Sequence, residues 1–299
     1  MKLTIHTATY NRAYILGKAY ESLCAQTCKD FEWIITDDGS TDGTDSLVRS
    51  WQEKDNGFPI IYNPLPHVGI PRALNSGVER SSTDWFLMLD SDDKLATTAV
   101  ESIIKWLAEV EDKADFVGVG FGKCQPNGEY MKKQTPKIDP ALGYVDATNV
   151  ERPLYGLDMD MAEVHRVELL KKFPFQYWET EKYAPEQLNY NAIALAGYKF
   201  RWRGDKLYIC DYLPDGQTRN DKLVKLNPMG FAMMHNQNML LRKGFKAKCR
   251  CAAQMTALSI YAGHTEYLKK SNCKAATLLT FPYGVALSFR RRKQFKKLK

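Results

Sequence analysis

Residues 31–44 read FEWIITDDGSTDGT. The first six, Phe31–Thr36, are aromatic and β-branched, which predicts a buried strand. Asp37–Gly43 is a turn cluster, and Thr44 begins a helical pattern that this turn could cap. A turn with a cap does not explain why two consecutive acids close an apolar strand. An EF-hand loop is also disfavoured, because Arg49 stands where the closing bidentate glutamate would lie.

A second apolar run ends in acids in the same way. Residues 86–93 read FLMLDSDD, which predicts a buried strand followed by Asp90 and Asp92. In an extended chain these two carboxylates share one face. Crowded carboxylates repel one another unless a cation joins them, and oxygen ligands suit Mg²⁺ or Mn²⁺. The alternatives are an Asp-rich capping turn, or a dehalogenase-type phosphatase, which Lys94 disfavours.

Strand and helix signals alternate over the first 120 residues. Strands are predicted at Leu3–Thr9, 31–36, 58–62, 84–89 and 114–120, with helices between them. This order predicts an α/β fold with a mostly parallel central sheet and helices on both faces. Ligands bind outside the carboxyl ends of such strands, so both acid clusters are expected to face one cleft. The turn after the first strand, residues 7–12, has no glycine, which excludes a Rossmann dinucleotide fingerprint.

The remaining sequence has a less regular pattern. Ala162–Phe173 is predicted to be a helix, and residues 222–299 a basic helical extension. Residues 222–299 hold 17 Lys and Arg against one acid, Glu266, whereas residues 1–221 hold 25 Lys and Arg against 34 acids. We therefore predict a domain over residues 1–221, with a nucleotide-binding half at about 1–120 and an acceptor half at about 121–221. The seven cysteines and the absence of a secretory leader favour a cytoplasmic protein.

The C-terminal segment combines apolar and basic character. Residues 275–289 carry no charge, and seven cations lie in the last ten residues. The uncharged run is too short to span a bilayer but suits an interfacial element. We expect residues 275–299 to contact an anionic membrane surface. The alternatives are a helix packed on the body with a solvated basic end, and nucleic-acid binding, which we do not expect.

Five motifs in order resemble the family 2 glycosyltransferases, which have the GT-A fold. The resemblance covers about residues 1–235, and the motifs are TATYNR at 7–12, QT at 26–27, TDDGSTDGT at 36–44, GxxxALNxG at 69–77 and LDSDD at 89–93. The resemblance implies a metal-dependent enzyme with Mn²⁺ or Mg²⁺ and a nucleotide-diphosphate sugar donor. It also implies nucleotide-binding roles for Thr7, Thr9, Tyr10, Arg12, Asp38, Gly69, Arg72, Asp90 and Ser91.

The resemblance also implies individual roles for the acidic residues. Asp38 would accept a hydrogen bond from the base, Asp92 would ligate the metal, and Asp90 would lie near the ribose or the metal. The catalytic base of such enzymes lies about eleven residues before a Gly-Tyr-Lys-like strand entry, which here is Glu186. Its neighbours depart from the usual acidic pair, so Glu181 and Glu179 remain alternatives.

The implied reaction is an inverting, non-processive transfer of one sugar to an acceptor hydroxyl. A processive enzyme is disfavoured because Tyr198 replaces the glutamine of the Gln-x-x-Arg-Trp motif. The expected acceptor is a lipid-linked or growing cell-surface glycan at the inner face of the membrane. Uridine diphosphate is the expected carrier, and thymidine and guanosine carriers are the alternatives. The rival interpretations are an inactive nucleotide-sugar-binding scaffold and a sugar nucleotidyltransferase.

Overall fold

The computed structural model describes residues 1–132, 134–210 and 221–298 of the 299-residue chain. These residues belong to two compact units, one formed by Met1–Pro174 with Ala192–Gly216 and the other by Phe175–Asn191 with Gln217–Lys299. The boundary predicted at residue 221 adjoins residues 211–220, which lie outside the described part of the chain. That boundary stays a prediction, and the compact units differ from it in grouping 175–191 with the C-terminal helices.

The first unit alternates strands and helices as predicted. Its elements are β1 (Leu3–Thr9), α1 (Ala13–Cys24), β2 (Phe31–Asp37), α2 (Thr44–Gln52), β3 (Ile60–Pro64), α3 (Ile70–Arg80), β4 (Trp85–Met88), β5 (Lys94–Leu95), α4 (Ala99–Leu107), β6 (Phe116–Cys124), β7 (Tyr144–Ala147), a 3-10 helix (Arg152–Tyr155), β8 (Met161–Arg166), α5 (Val167–Lys172) and β9 (Lys199–Ile209). Helix α6 (Gln187–Leu195) precedes β9.

The strands form one mixed sheet in the order β3-β2-β1-β4-β8-β6-β9-β5, with β7 also paired to β9. Strands β1 to β4 are mutually parallel where they pair, and β6 runs parallel to β9. Strand β8 is antiparallel to both of its neighbours, β4 and β6. The expected α/β class with a mostly parallel sheet is confirmed.

Side chains of β1 alternate between two covered faces of the sheet. Leu3 and Ile5 lie in a core cluster that also contains residues of α1, α2 and α4. On the opposite face, the ring of His6 meets α3 at Gly77, where a Cβ atom would lie 2.2 Å from the ring. Thr36 lies on this second face too, with its hydroxyl 2.8 Å from His6 Nε2. Helices therefore cover both faces of the sheet, as predicted.

The prediction of a helix over Ala162–Phe173 is wrong in its first half. Residues 161–166 form β8, and the helix begins only at Val167. Ala162 and Val164 face the main core cluster, whereas Glu163 and His165 alternate with them. This period of two is the strand signal, and pairing with β4 and β6 satisfies the backbone on both sides. His165 is buried.

The second unit is helical. It contains α7 (Asp221–Leu226), α8 (Pro228–Leu241), α9 (Phe245–Ala262), a 3-10 helix (Thr265–Lys270) and α10 (Lys274–Phe295). One core cluster joins Met229 and Phe231 of α8 to Leu258 of α9 and Phe295 of α10. The predicted basic C-terminal segment is thus helical. Within the described residues, no helix combines the length and the apolar character that crossing a membrane requires.

Candidate active site

Three neighbouring parallel strands end at one edge of the sheet and bring the two acid clusters together. In register, Thr9 at the end of β1 pairs with Asp37 at the end of β2. The N–H of Asp38 donates to Thr9 O at 2.8 Å, and the N–H of Leu89 donates to His6 O at 2.8 Å. Residues after β1, β2 and β4 therefore emerge side by side, as the sequence predicted.

Asp38 fixes the loop that precedes α3. Its carboxylate is almost fully buried and accepts hydrogen bonds from Val68 N at 2.5 Å and from Gly69 N at 2.9 Å. Gly69 has φ 95° and ψ 159°, a backbone conformation that residues other than glycine rarely adopt. Gly39 is equally constrained, because a Cβ atom there would lie 2.8 Å from His67 N. Asp38 and both glycines thus hold the 67–69 loop against the edge of the sheet.

An exposed aromatic pair includes one residue of this loop, His67. The rings of Tyr10 and His67 are stacked with centroids 4.2 Å apart and planes inclined by 22°. His67 Nδ1 lies 3.0 Å from Asp38 O and 3.2 Å from Asp38 Oδ2. The sequence predicted Tyr10 but missed His67, whose only signal is its place in a short loop leading to Gly69. Stacked planar groups at a strand end suit a planar ligand such as a nucleotide base.

Arg12 and the acidic turn after β4 contact each other directly. Arg12 Nη1 lies 2.9 Å from Asp92 Oδ2 and 3.4 Å from Ser91 Oγ. Both charged side chains are mostly buried. Residues that the resemblance assigns to the nucleotide and to the metal are therefore adjacent, and their opposite charges neutralise each other.

Asp90 lies against two side chains that sequence reasoning missed. Tyr208 OH donates to Asp90 Oδ2 at 3.1 Å, and Lys123 Nζ lies 3.5 Å from the same oxygen. Lys123 Nζ also lies 4.0 Å from the centre of the Tyr208 ring. Burial alone would lower the pKa of Lys123, but the charge of Asp90 raises it above its ordinary value. These contacts come from β6 and β9, which are distant in sequence and gave no motif.

The acidic segment itself is a tight turn. Strand β4 ends at Met88, and Asp93 N donates to Asp90 O at 3.2 Å. The expectation that Asp90 and Asp92 share one face of an extended strand is therefore wrong, because the chain reverses there. Burial first, and then the charges of Asp90 and Asp92, raise the pKa of Asp93 to about 6. The charges of Asp90 and Asp92 thus act on Asp93, the third acid of this turn.

The donor set fits a divalent cation. Asp90 and Asp92 offer carboxylate oxygens, the ligands that Mg²⁺ and Mn²⁺ prefer, and they leave the remaining positions to water and phosphate. Each carboxylate is compensated by a protein cation, Lys123 or Arg12. Among the described residues, no three His, Cys, Asp or Glu side chains are grouped closely enough to hold a metal by themselves. A metal here would therefore need oxygens from its ligand.

The other predicted nucleotide residues differ in their surroundings. Thr7 is fully buried, and its hydroxyl accepts a hydrogen bond from Trp33 Nε1 at 3.0 Å. Thr9 is buried at the strand end, and its hydroxyl has no hydrogen-bond partner among the described residues. Arg72 Nη1 donates to Val68 O at 2.9 Å, next to the loop that Asp38 holds. Thr9 and Arg72 thus lie at the edge, whereas Thr7 lies in the core.

The candidate bases lie in the second unit. Glu186 immediately precedes α6, and Tyr190 OH donates to its Oε2 at 3.4 Å. Glu181 is buried, and its two oxygens accept from Met229 N at 2.6 Å and Gly230 N at 2.9 Å in the first turn of α8. Burial raises the pKa of Glu181, and these two bonds oppose the shift. Glu179 is exposed. Glu181 therefore caps a helix, while Glu186 occupies a helix start.

Comparison with known proteins assigns the family. The model of glycosyl transferase family 2 matches residues 4–172, which is more than half of the chain. The chain belongs to glycosyl transferase family 2. All five motifs that carry the resemblance lie inside the matched range, so the resemblance to family 2 is confirmed.

Curated relatives are similar over part of the chain. A GalNAc(5)-diNAcBac-PP-undecaprenol beta-1,3-glucosyltransferase from Campylobacter jejuni is 33% identical over 104 residues, covering 35% of this chain and 34% of that protein. The putative glycosyltransferase EpsH from Bacillus subtilis is 27% identical over 149 residues, covering 48% and 42%. The chain thus spans about a third to two fifths of these relatives.

Solved structures confirm the GT-A fold. TarS 1–349 from S. aureus in complex with UDP-GlcNAc has a TM-score of 0.62 at 18% identity, with 91% of this chain and 76% of that chain covered. The mannosyltransferase PcManGT from Pyrobaculum calidifontis, in complex with GDP-Man and Mn²⁺, has a TM-score of 0.53 at 19% identity, with 99% and 83% covered. At these identities the likeness supports the fold alone.

Proposed function

We propose that the protein transfers one sugar, with inversion, from a nucleotide-diphosphate sugar to an acceptor hydroxyl. The observation that carries the proposal is the meeting of five side chains at one sheet edge. They are the stacked pair Tyr10–His67, the carboxylate of Asp38 and the ion pair Arg12–Asp92. The aromatic surface matches the base of such a donor, and the guanidinium matches its diphosphate. The carboxylates match the metal that binds with the donor.

The donor base is proposed to lie on Tyr10 and His67. Base–aromatic stacking contributes about 1–3 kcal/mol per base, and both rings are accessible from solvent. Asp38, which positions the 67–69 loop, would accept a hydrogen bond from the base edge. The hydroxyl of Thr9, which has no hydrogen-bond partner within the described part of the chain, would bind the nucleotide at the same edge. A uridine nucleotide is the donor carrier that we propose.

Asp92 and Asp90 are proposed to hold Mn²⁺ or Mg²⁺ together with the donor diphosphate. When bound, the metal supplies neutralisation of the charge that develops on the leaving diphosphate. Arg12 would then exchange Asp92 for a phosphate oxygen, because the carboxylate has gained another cation. PcManGT, which has a similar fold, was solved in complex with GDP-Man and Mn²⁺.

Glu186 is the proposed general base. The acceptor oxygen forms a bond to the anomeric carbon as the carbon–phosphate oxygen bond breaks, and the electron pair leaves with the nucleoside diphosphate. The acceptor proton passes to the carboxylate of Glu186. Glu181 suits this role less well, because both of its oxygens accept hydrogen bonds from α8.

We propose a lipid-linked or growing cell-surface glycan as the acceptor. The name of the Campylobacter relative includes PP-undecaprenol, which supports a lipid-linked acceptor. The enzyme would then act at the cytoplasmic, anionic face of the membrane, with residues 275–299 as the contacting segment. No role for nucleic acid is proposed.

The test is a turnover assay with a panel of nucleotide-diphosphate sugars, Mn²⁺ and a polyprenyl-diphosphate-linked glycan acceptor. We expect release of nucleoside diphosphate together with a product larger by one sugar, from one donor. Tight donor binding without turnover over the whole panel would favour a non-catalytic scaffold. Pyrophosphate release from a nucleoside triphosphate and a sugar phosphate would instead identify a nucleotidyltransferase.

A further inference from the structure

Helix α10 packs with its small residues inward. The side facing the second unit carries Ala276, Thr277, Gly284 and Ser288, all buried. Gly284 allows the closest approach, because a Cβ atom there would lie 2.6 Å from Thr256 of α9. Apart from Phe295 at its end, the helix therefore buries few large apolar side chains against its own protein.

The large apolar residues of α10 face solvent instead. Leu278 is 77% exposed, Leu279 67%, and Tyr283 and Phe289 63% each, with Phe281 beside them. Soluble proteins rarely expose large apolar side chains in a contiguous patch unless the patch has a partner. We call these five residues, with the exposed cations that follow them, the α10 face.

Cations continue the same face toward the C-terminus. The exposed residues there are Arg290, Arg292, Lys293, Lys296 and Lys297. At about 100° per residue, Leu278, Phe289 and Lys296 project within about 20° of one another. No carboxylate within the described ranges pairs with Lys293, Lys296 or Lys297, whereas Arg291 lies 3.8 Å from Asp221. The α10 face thus has an apolar half and a cationic half, with no acid on it.

We infer that the α10 face docks on an anionic lipid bilayer. This inference deepens the proposed function and rests on it for the lipid-linked acceptor. The apolar half would enter the boundary between headgroups and acyl chains, and the cations would contact anionic headgroups. A lipid surface accounts for both halves, whereas a nucleic acid or an acidic protein surface would account only for the cations. Since none of the described helices is suited to crossing a bilayer, the contact lies on the surface.

Sedimentation with phospholipid vesicles tests the inference without any donor or acceptor. The full-length protein is expected to bind vesicles containing phosphatidylglycerol and not vesicles of phosphatidylcholine alone. The triple variant Lys293→Gln, Lys296→Gln, Lys297→Gln should bind about 100-fold more weakly, since each surface cation contributes roughly fivefold. A matched variant, Lys105→Gln, Lys137→Gln, Lys222→Gln, removes three exposed lysines elsewhere and should bind as the wild type does.

The apolar half is tested separately. Leu278→Gln with Phe289→Gln should weaken vesicle binding at least tenfold, whereas Leu154→Gln, at a leucine that is 69% exposed in the first unit, should not. Binding that depends on the lysines but not on Leu278 and Phe289 would overturn the inference in favour of a purely electrostatic partner. Absence of binding by the wild type would also overturn it. Donor affinity, measured on the same proteins, should be unchanged and reports on the proposed function independently.

Discussion

Arg12 Nη1 and Asp92 Oδ2 lie 2.9 Å apart, so that an ion pair joins the segment after β1 to the turn after β4. The proposed chemistry gives these groups opposite tasks, since Arg12 would bind a diphosphate and Asp92 a metal. Binding of the donor and the metal would break the contact between Arg12 and Asp92. It would form two contacts instead, one between Arg12 and the diphosphate and one between Asp92 and the metal. The cost of separating the pair is thereby offset by binding, and the site is expected to take metal and donor cooperatively.

Replacing either stacked ring should weaken nucleotide binding. Tyr10→Ala or His67→Ala is expected to raise the Kd for the nucleoside diphosphate about 10- to 100-fold, because stacking contributes about 1–3 kcal/mol per base. Calorimetry with inorganic diphosphate, which has no base, should show no change. Tyr14→Ala removes a tyrosine that is 64% exposed nearby and serves as the control. Equal losses with inorganic diphosphate would contradict a role in holding the base.

Removing the proposed base should affect turnover and not binding. Glu186→Gln is expected to lower kcat about 100- to 10,000-fold, the usual contribution of a positioned base, with donor Kd unchanged. Glu179→Gln changes an exposed neighbour and should leave kcat intact. A Glu186→Gln enzyme with normal kcat would remove Glu186 from the mechanism.

Glu181 should matter for stability. Glu181→Ala leaves the N–H groups of Met229 and Gly230 without their acceptor, which is expected to cost about 1–2 kcal/mol of unfolding free energy. Chemical denaturation measures this loss, with Glu179→Ala as the matched exposed substitution. If Glu181→Ala unfolds at the same denaturant concentration as the wild type, the capping role is wrong.

Acid should destabilise the first unit through two buried imidazoles. Burial lowers the pKa of His6 and of His165 from 6.5 to about 3. Below pH 6.5 the unfolded chain binds protons that the folded protein does not, so the free energy of unfolding decreases as the pH is lowered from 6.5 to 3. Each imidazole contributes up to about 1.4 kcal/mol per pH unit in this window. Urea unfolding at pH 7 and pH 5 measures the slope, and a His165→Gln variant with an unchanged slope would contradict this assignment.

The sequence predicted those features that local patterns determine. Strand β1 was placed at its observed bounds, and the two acid clusters were placed at one sheet edge. Residues 161–166 were misassigned because the apolar residues at 164, 167 and 170 are spaced by three and also fit a helical stripe, and only pairing with β4 and β6 decides for a strand. His67, Lys123 and Tyr208 were missed because each reaches the site through contacts between distant segments.

The metal–donor site is tested most directly by calorimetry of nucleotide-diphosphate sugars with and without Mn²⁺. The wild type should bind one donor tightly and only with metal, whereas Asp92→Asn should lose at least 100-fold in affinity, because a carboxylate is replaced by a weak neutral ligand. Asp112→Asn, at an exposed aspartate, should behave as the wild type. Donor binding that is independent of Mn²⁺ and unchanged in Asp92→Asn would contradict the proposed site.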